Sequence, residues 1–111
     1  MKLSTLLQLQ RMVAAVRKEA PELPTQQLHV FVTVALNEGL TTKDIEKRCG
    51  MTNASASRNT QALYKMAGAG REGLGWLNWE PSLMDGRVRE VYLSDKGKEV
   101  LAKIDAAIQA D

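Results

Sequence analysis

Cysteine, histidine and proline are scarce in this sequence, with one, one and three copies respectively, and aromatic residues make up only 5% of it. A single cysteine excludes an internal disulfide and fits a reducing compartment. With one histidine, a serine, histidine and acid triad has almost no material to draw on. His29 has no neighbouring ligands at metal spacing, so a structural histidine is expected, with no metal, no cofactor and no enzymatic constellation. Long hydrophobic runs are missing too. In "MKLSTLLQLQRM", Gln8, Gln10 and Arg11 interrupt the leucines before a signal-peptide core or a membrane span could form. A cytoplasmic protein without a membrane partner is expected.

Charge of one sign is also lacking. Fifteen basic residues face thirteen acidic ones, which decides nothing about partners in bulk. Its distribution says more. Residues 41 to 98 carry ten basic and seven acidic groups, whereas residues 99 to 111 carry one and three, so the positive excess lies in the middle. Hydrophobic and charged fractions of 44% and 25% are those of an ordinary folded protein. Its 111 residues predict one domain, 1 to 111, with little room for a deep catalytic cleft.

Apolar periodicity supplies the elements. Leu6, Leu9, Val13 and Val16, with Leu3, Leu7 and Met12 widening the stripe, predict a helix over about 3–19 that "APELP" ends. Thr25 is placed to cap a second helix bearing Leu28, Phe31, Val32, Ala35 and Leu36 on one face, with Gly39 beyond its end. "TTKDIEKRCG" then reads as a short helix with Ile45 and Cys49 on its apolar side and Gly50 as its stop. Core packing is expected of Cys49, as of most cysteines in an apolar seam. Thr52 is a good N-cap for a further helix from Asn53 to about Ala67. Helix, glycine-containing turn, helix is the helix-turn-helix arrangement, here over about 41–67.

The second of these helices is bare. Ala56, Thr60, Leu63 and Ala67 form a thin inward seam, and Asn53, Ser55, Ser57, Arg58, Gln61 and Lys65 occupy the outer side. Such a polar face is usually only solvated. Amides, hydroxyls and a guanidinium behind a helix-turn-helix turn, however, are the inventory that reads base edges and phosphates in a major groove. Thr42 and Thr52 stand at helix starts, where hydroxyl and backbone N–H groups can hold phosphates.

"AGAGREGLG" has neither the strand nor the lysine of a phosphate-cradling loop and is read as a flexible connector. "WLNWE" and "RVREVYL" predict two strands joined by "PSLMDG", a two-stranded wing over about 76–93 with Arg87 and Arg89 on a projecting ribbon. Trp76 and Trp79 are expected to pack on the domain rather than stack on bases. Ser94 can cap a last helix, about 95–110, striped by Val100, Leu101, Ile104 and Ile108. Apolar helices at both ends of so small a domain call for a partner subunit, and a homodimer through them is expected.

The run from Leu40 to Ile104, about two thirds of the chain, resembles the winged-helix domain of the MarR family of bacterial transcription regulators. "LTTKDIEKRCGMTNASASRNTQAL" is similar to that family's helix-turn-helix, and Asp85, Arg87, Val91, Leu93, Ser94, Lys96 and Gly97 meet the spacing of its wing and following helix. The resemblance implies a mainly α (α+β) winged helix-turn-helix domain with N- and C-terminal helices and a two-stranded β wing. It implies a nucleoid-associated, sequence-specific regulator of double-stranded DNA, acting as a repressor by occupying a promoter. By the same resemblance Asp85 braces Arg87, which enters the minor groove, and the recognition role falls on Asn53 to Arg58. A carboxylate that pre-orders a guanidinium suits the negative potential of a narrow minor groove. Members of the family respond to small molecules, but no pattern of residues here points to a ligand. The sequence departs from the family pattern in its longer glycine-rich connector and in Asn59 and Thr60, where leucines are common. The modest charge and the paired tryptophans suit an alternative, a winged-helix protein-interaction module without sequence-specific DNA binding.

Overall fold

Helices α1 (Leu3–Glu19) and α2 (Thr25–Leu36) open the computed structural model, which describes residues 1–110. Strand β1 (Leu40–Thr41) and helices α3 (Thr42–Cys49) and α4 (Asn53–Leu63) follow. Four short strands come next, β2 (Met66–Gly68), β3 (Arg71–Glu72), β4 (Leu77–Pro81) and β5 (Arg89–Leu93), and α5 (Asp95–Gln109) closes the chain. Asp111, the last residue of the expected domain, lies outside the described residues.

Local chemistry accounts for most boundaries. The Thr41 side chain accepts from the Asp44 N–H, and the Asp44 carboxylate accepts in return from the Thr41 N–H at 3.0 Å, a reciprocal capping box. Thr41 is therefore the cap of α3, and Thr42 is its first helical residue. Gly50 ends α3 in the left-handed conformation, φ 63°, which glycine adopts without a Cβ penalty. Thr52 caps α4 by accepting from the Ser55 N–H, and Ser94 caps α5 by accepting from the Gly97 N–H. The second helix differs from expectation. Its N-cap is Pro24, with no side-chain cap bond, and Thr25 is already helical.

Bonds from Thr41 to the Asp44 carboxylate, first from the backbone N–H and then from the hydroxyl, hold this carboxyl below its ordinary value of 3.8. A group whose folded value is lowered stabilises the fold fully above its unfolded value, and that contribution fades as pH falls through the folded one. Acid titration followed by circular dichroism should therefore show Asp44→Asn to be less stable than the parent at neutral pH, with the gap closing below pH 3.8. A gap unchanged by acid would contradict the capping assignment.

The core gathers Val30, Phe31 and Val34 of α2, Ile45 of α3, Ala56 and Leu63 of α4, and Val100 and Ile104 of α5 against Trp76, Leu77 and Val91 of the sheet. The buried face of α2 keeps Phe31 from the expected stripe but turns toward Val30 and Val34. Leu28 and Ala35 are partly buried, whereas Val32 and Leu36 are exposed. Seven of its twelve residues are apolar, so periodicity alone could not choose the side that meets α3, α4 and β5. The Phe31 and Trp76 rings meet in a tilted pair at 5.0 Å between centroids.

The expected two-stranded wing is the β4–β5 hairpin, and β1 extends it to a three-stranded antiparallel sheet in the order β1-β5-β4. β1 adds Leu40 opposite Val91 and Thr41 opposite Glu90, and it ties the start of α3 to the wing. At the other end of β5, Gly97 packs on the backbone of Trp76: a Cβ there would come within 2.0 Å of the Trp76 carbonyl oxygen. That contact explains why glycine opens the last helix.

The supposed flexible connector is a built element. β2 and β3 pair in a hairpin that turns at Gly70, φ 72°. The chain then folds back on α4: the amides of Gly73, Leu74 and Gly75 donate to the carbonyls of Lys65, Ala62 and Tyr64 at 2.8, 3.1 and 3.2 Å. These bonds satisfy carbonyls left over at the end of the helix. Such close approach needs glycine, since a Cβ on Gly73 would lie 1.9 Å from the Tyr64 oxygen. It also ends α4 at Leu63 instead of running on to Ala67, which lies in β2.

Both terminal helices pack within the chain, but only in part. Ala15 and Val16 on the second half of α1 are buried where it lies along α5, and Lys103 bridges to Glu19 and Glu99. Leu3, Leu6, Leu7, Leu9 and Val13 remain exposed along the first half.

Candidate nucleic-acid interface

A groove runs between the start of α3, the outer side of α4 and the wing. Thr41, Thr42 and Lys43 line one end, Asn53, Ser57, Gln61 and Tyr64 line its floor, and Arg87, Val88 and Arg89 line the wing side. Six of the residues singled out from the sequence thus meet there: Thr42, Asn53, Ser57, Gln61, Arg87 and Arg89. They come from three elements separated by up to 47 positions, and β1 with the capping box fixes their relative placement.

The Asn53 amide nitrogen already donates to Glu46 at 2.9 Å, a bond across the turn that leaves its carbonyl oxygen as the free acceptor. Arg58 is exposed on α4 outside the groove, and Thr52 is committed to its cap. Arg87 projects with 92% of its side chain exposed. Asp85 holds it at three points: its Oδ1 accepts from the Arg87 N–H at 3.0 Å and from Nε at 3.2 Å, and its Oδ2 accepts from Nη2 at 3.3 Å. The guanidinium foremost, then the backbone N–H, keep the Asp85 carboxyl below the usual carboxylate range. Arg89 lies over the Trp79 ring, 4.1 Å from its centroid. Beneath the groove, burial pushes the Tyr64 phenol up to about 12, so it is a neutral hydroxyl at physiological pH.

Two expected members sit elsewhere. Ser55 turns toward α2 and donates to Gln26 at 3.1 Å rather than presenting its hydroxyl outward. Lys65 follows the end of α4 and faces a second groove beside the β2–β3 hairpin. The tryptophans divide: Trp76 is buried, while Trp79 remains 40% exposed as the platform for Arg89.

The polar Asn59 and Thr60 also find their explanation. Buried Thr60 satisfies its hydroxyl within α4 by donating to the Ala56 carbonyl at 2.7 Å, whereas Asn59 donates to Gln26 at 2.9 Å and makes a polar junction with α2. Gln26 and Lys43 join these residues in the folded chain. Gln26 gives no signal in its own neighbourhood because both partners lie about 30 positions away, whereas Lys43 stands beside Thr42 in the first turn of α3, a position that the local sequence does mark. Cys49 packs against the core, its Sγ donating to the Thr33 hydroxyl at 3.4 Å. His29 is exposed, and among the described residues no group of His, Cys, Asp and Glu could hold a metal. None of the described helices is long and apolar enough to cross a membrane.

A helix-turn-helix joined by a β strand to an antiparallel hairpin, with a helix at each end, defines a winged-helix domain. Its fold is MarR-like. A MarR-like transcriptional regulator from Thermotoga maritima superposes with a TM-score of 0.67 at 25% identity, over 83% of this chain and 60% of that one. The PcaV transcriptional regulator of Streptomyces coelicolor, solved with its natural ligand, gives 0.63 at 21% identity, over 78% and 56%. MepR of S. aureus, solved with DNA, gives 0.70 at 16% identity, over 88% and 73%. The chain thus spans less than two thirds of the length of the Thermotoga and Streptomyces proteins. No family model matches it, and no curated protein matches it in sequence.

Proposed function

We propose that this protein is a transcription regulator that binds double-stranded DNA as a homodimer and represses by occupying a promoter. The observation that carries this reading is the convergence of Thr42, Asn53, Ser57, Gln61, Arg87 and Arg89 on one groove between α4 and the wing. With α4 in a major groove, the wing reaches the adjacent minor groove, and Arg87, pre-ordered by Asp85, is the residue that enters it. The intervening phosphodiester strand then lies in the groove itself, where Lys43 and the hydroxyl of Thr42 can meet it. Arg58, exposed on α4, supplies a bidentate donor for a guanine edge.

MepR is seen on DNA and PcaV with its natural ligand. The DNA contact extends to this chain on the strength of its groove, but nothing among the described residues singles out an inducer pocket. A symmetric dimer of such domains reads an inverted repeat with half-sites about 34 Å apart, one turn of the duplex.

Binding of paired variants to a selected duplex and to random sequence tests the assignment. Arg58→Ala should cost about 1–3 kcal/mol on the selected duplex and far less on random DNA. Arg87→Ala should weaken only sites with A·T-rich flanks. Equal losses on both kinds of DNA would reduce the two arginines to phosphate clamps.

A further inference from the structure

The β2–β3 hairpin plays no part in the winged-helix reading, yet it walls a second groove opposite β4. Lys65 and Gly68 line the hairpin side, and Trp79 and Arg89 line the other. Gln61, Tyr64 and Arg89 belong to both grooves, so the two form one continuous channel along α4. The hairpin is held in place by its three amide bonds to the end of α4.

The chemistry of this extension is cationic. Lys65 is exposed and makes no ion pair among the described residues. The Arg71 guanidinium lies along Gly68, where a Cβ would come within 3.1 Å of its Nη2. The Trp79 ring fixes Arg89 through its π face, which positions the guanidinium without consuming any of its N–H donors. Glu80 also lines this groove, but strand alternation sets its side chain on the face opposite Trp79, with Glu90 across the ladder.

We infer that the channel between the β2–β3 hairpin and β4 seats the sugar-phosphate backbone of the duplex beyond the wing, with Lys65, Arg71 and the Trp79-held Arg89 as phosphate contacts. The inference rests on the DNA-binding reading above. A strand that passes between α4 and the wing leaves the first groove where the second begins, and its phosphates recur about every 3.4 Å of helix axis. Trp79 acts here as a positioning residue, through Arg89.

The test measures affinity of the full chain for its selected duplex from 50 to 200 mM salt, together with ethylation interference at single phosphates. Lys65→Gln should lower the salt slope by about 0.9, so that this fourfold rise in salt costs the variant about 3.5-fold less affinity than the parent. Interference at phosphates beyond the wing should vanish in the same variant. Trp79→Leu should lower the slope likewise, and Trp79→Phe, which keeps a π face, should restore it. If Lys65→Gln and Trp79→Leu leave slope and interference unchanged while Arg87→Ala still weakens binding, the hairpin seat is wrong and the DNA-binding reading stands. If the parent binds no duplex at low salt, both fall together.

Discussion

Replacing Leu6 and Leu9 together with aspartate should yield a monomer that binds its duplex about 100- to 10,000-fold more weakly than the parent. Both side chains lie on the uncovered half of α1, 50% and 44% exposed, beside Leu3, Leu7 and Val13. In the homodimer proposed above, this contiguous apolar stripe is the surface that a second copy would cover. The affinity loss follows from mass action: two linked domains convert the second half-site into an intramolecular event, worth about two to four orders of magnitude. Because neither leucine contributes to the core, the melting temperature at low protein concentration should change little. Sedimentation and duplex binding check the claim together. A double variant that still sediments as a dimer would move the interface elsewhere, and a parent that is monomeric at micromolar concentration would remove the dimer altogether.

Trp76→Ala should be the most destabilising single substitution, by about 3–5 kcal/mol. The ring is 1% exposed, stacks obliquely on Phe31 and sits where α2, the sheet and the start of α5 meet. Removing it leaves a cavity that the surrounding backbone cannot close, because Gly97 already touches the Trp76 carbonyl and Ser94 donates its N–H to the same oxygen at 3.0 Å. A domain of this size has about 5–15 kcal/mol of stability in all, so the variant should be largely unfolded at moderate temperature. Urea melts of parent and variant measure the difference. A loss below about 1 kcal/mol would mean that Trp76 is not the keystone of the wing.

Features written in nearby residues could be read without a structure, and features written in distant ones could not. Thr52, Ser94 and Gly50 mark helix ends through bonds or backbone angles confined to four or five positions, and each stands where its chemistry places it. The pairing of Asp85 with Arg87 is equally local. By contrast, β1 is two residues long, too short for any alternation to show, and exists only because β5 lies beside it. The hairpin was hidden because glycines that suit a flexible linker suit equally well a chain folded tightly on a helix end; only the approach of Gly73 to Tyr64 distinguishes the two. The same length of chain shortened α4, which moved Lys65 from the recognition face to the second groove. On α2, apolar residues on every side left the inward face to be chosen by its neighbours. Ser55 illustrates the remaining limit, since its outward position on a helical projection gave no hint of Gln26, 29 residues earlier.

Selection of bound duplexes from a random pool reads DNA binding, symmetry and spacing of the site at once. The expected result is enrichment of an inverted repeat whose half-sites lie about 34 Å apart, one helical turn, with affinity that falls steeply as salt rises. Recovery of no sequence above background at low salt would contradict it.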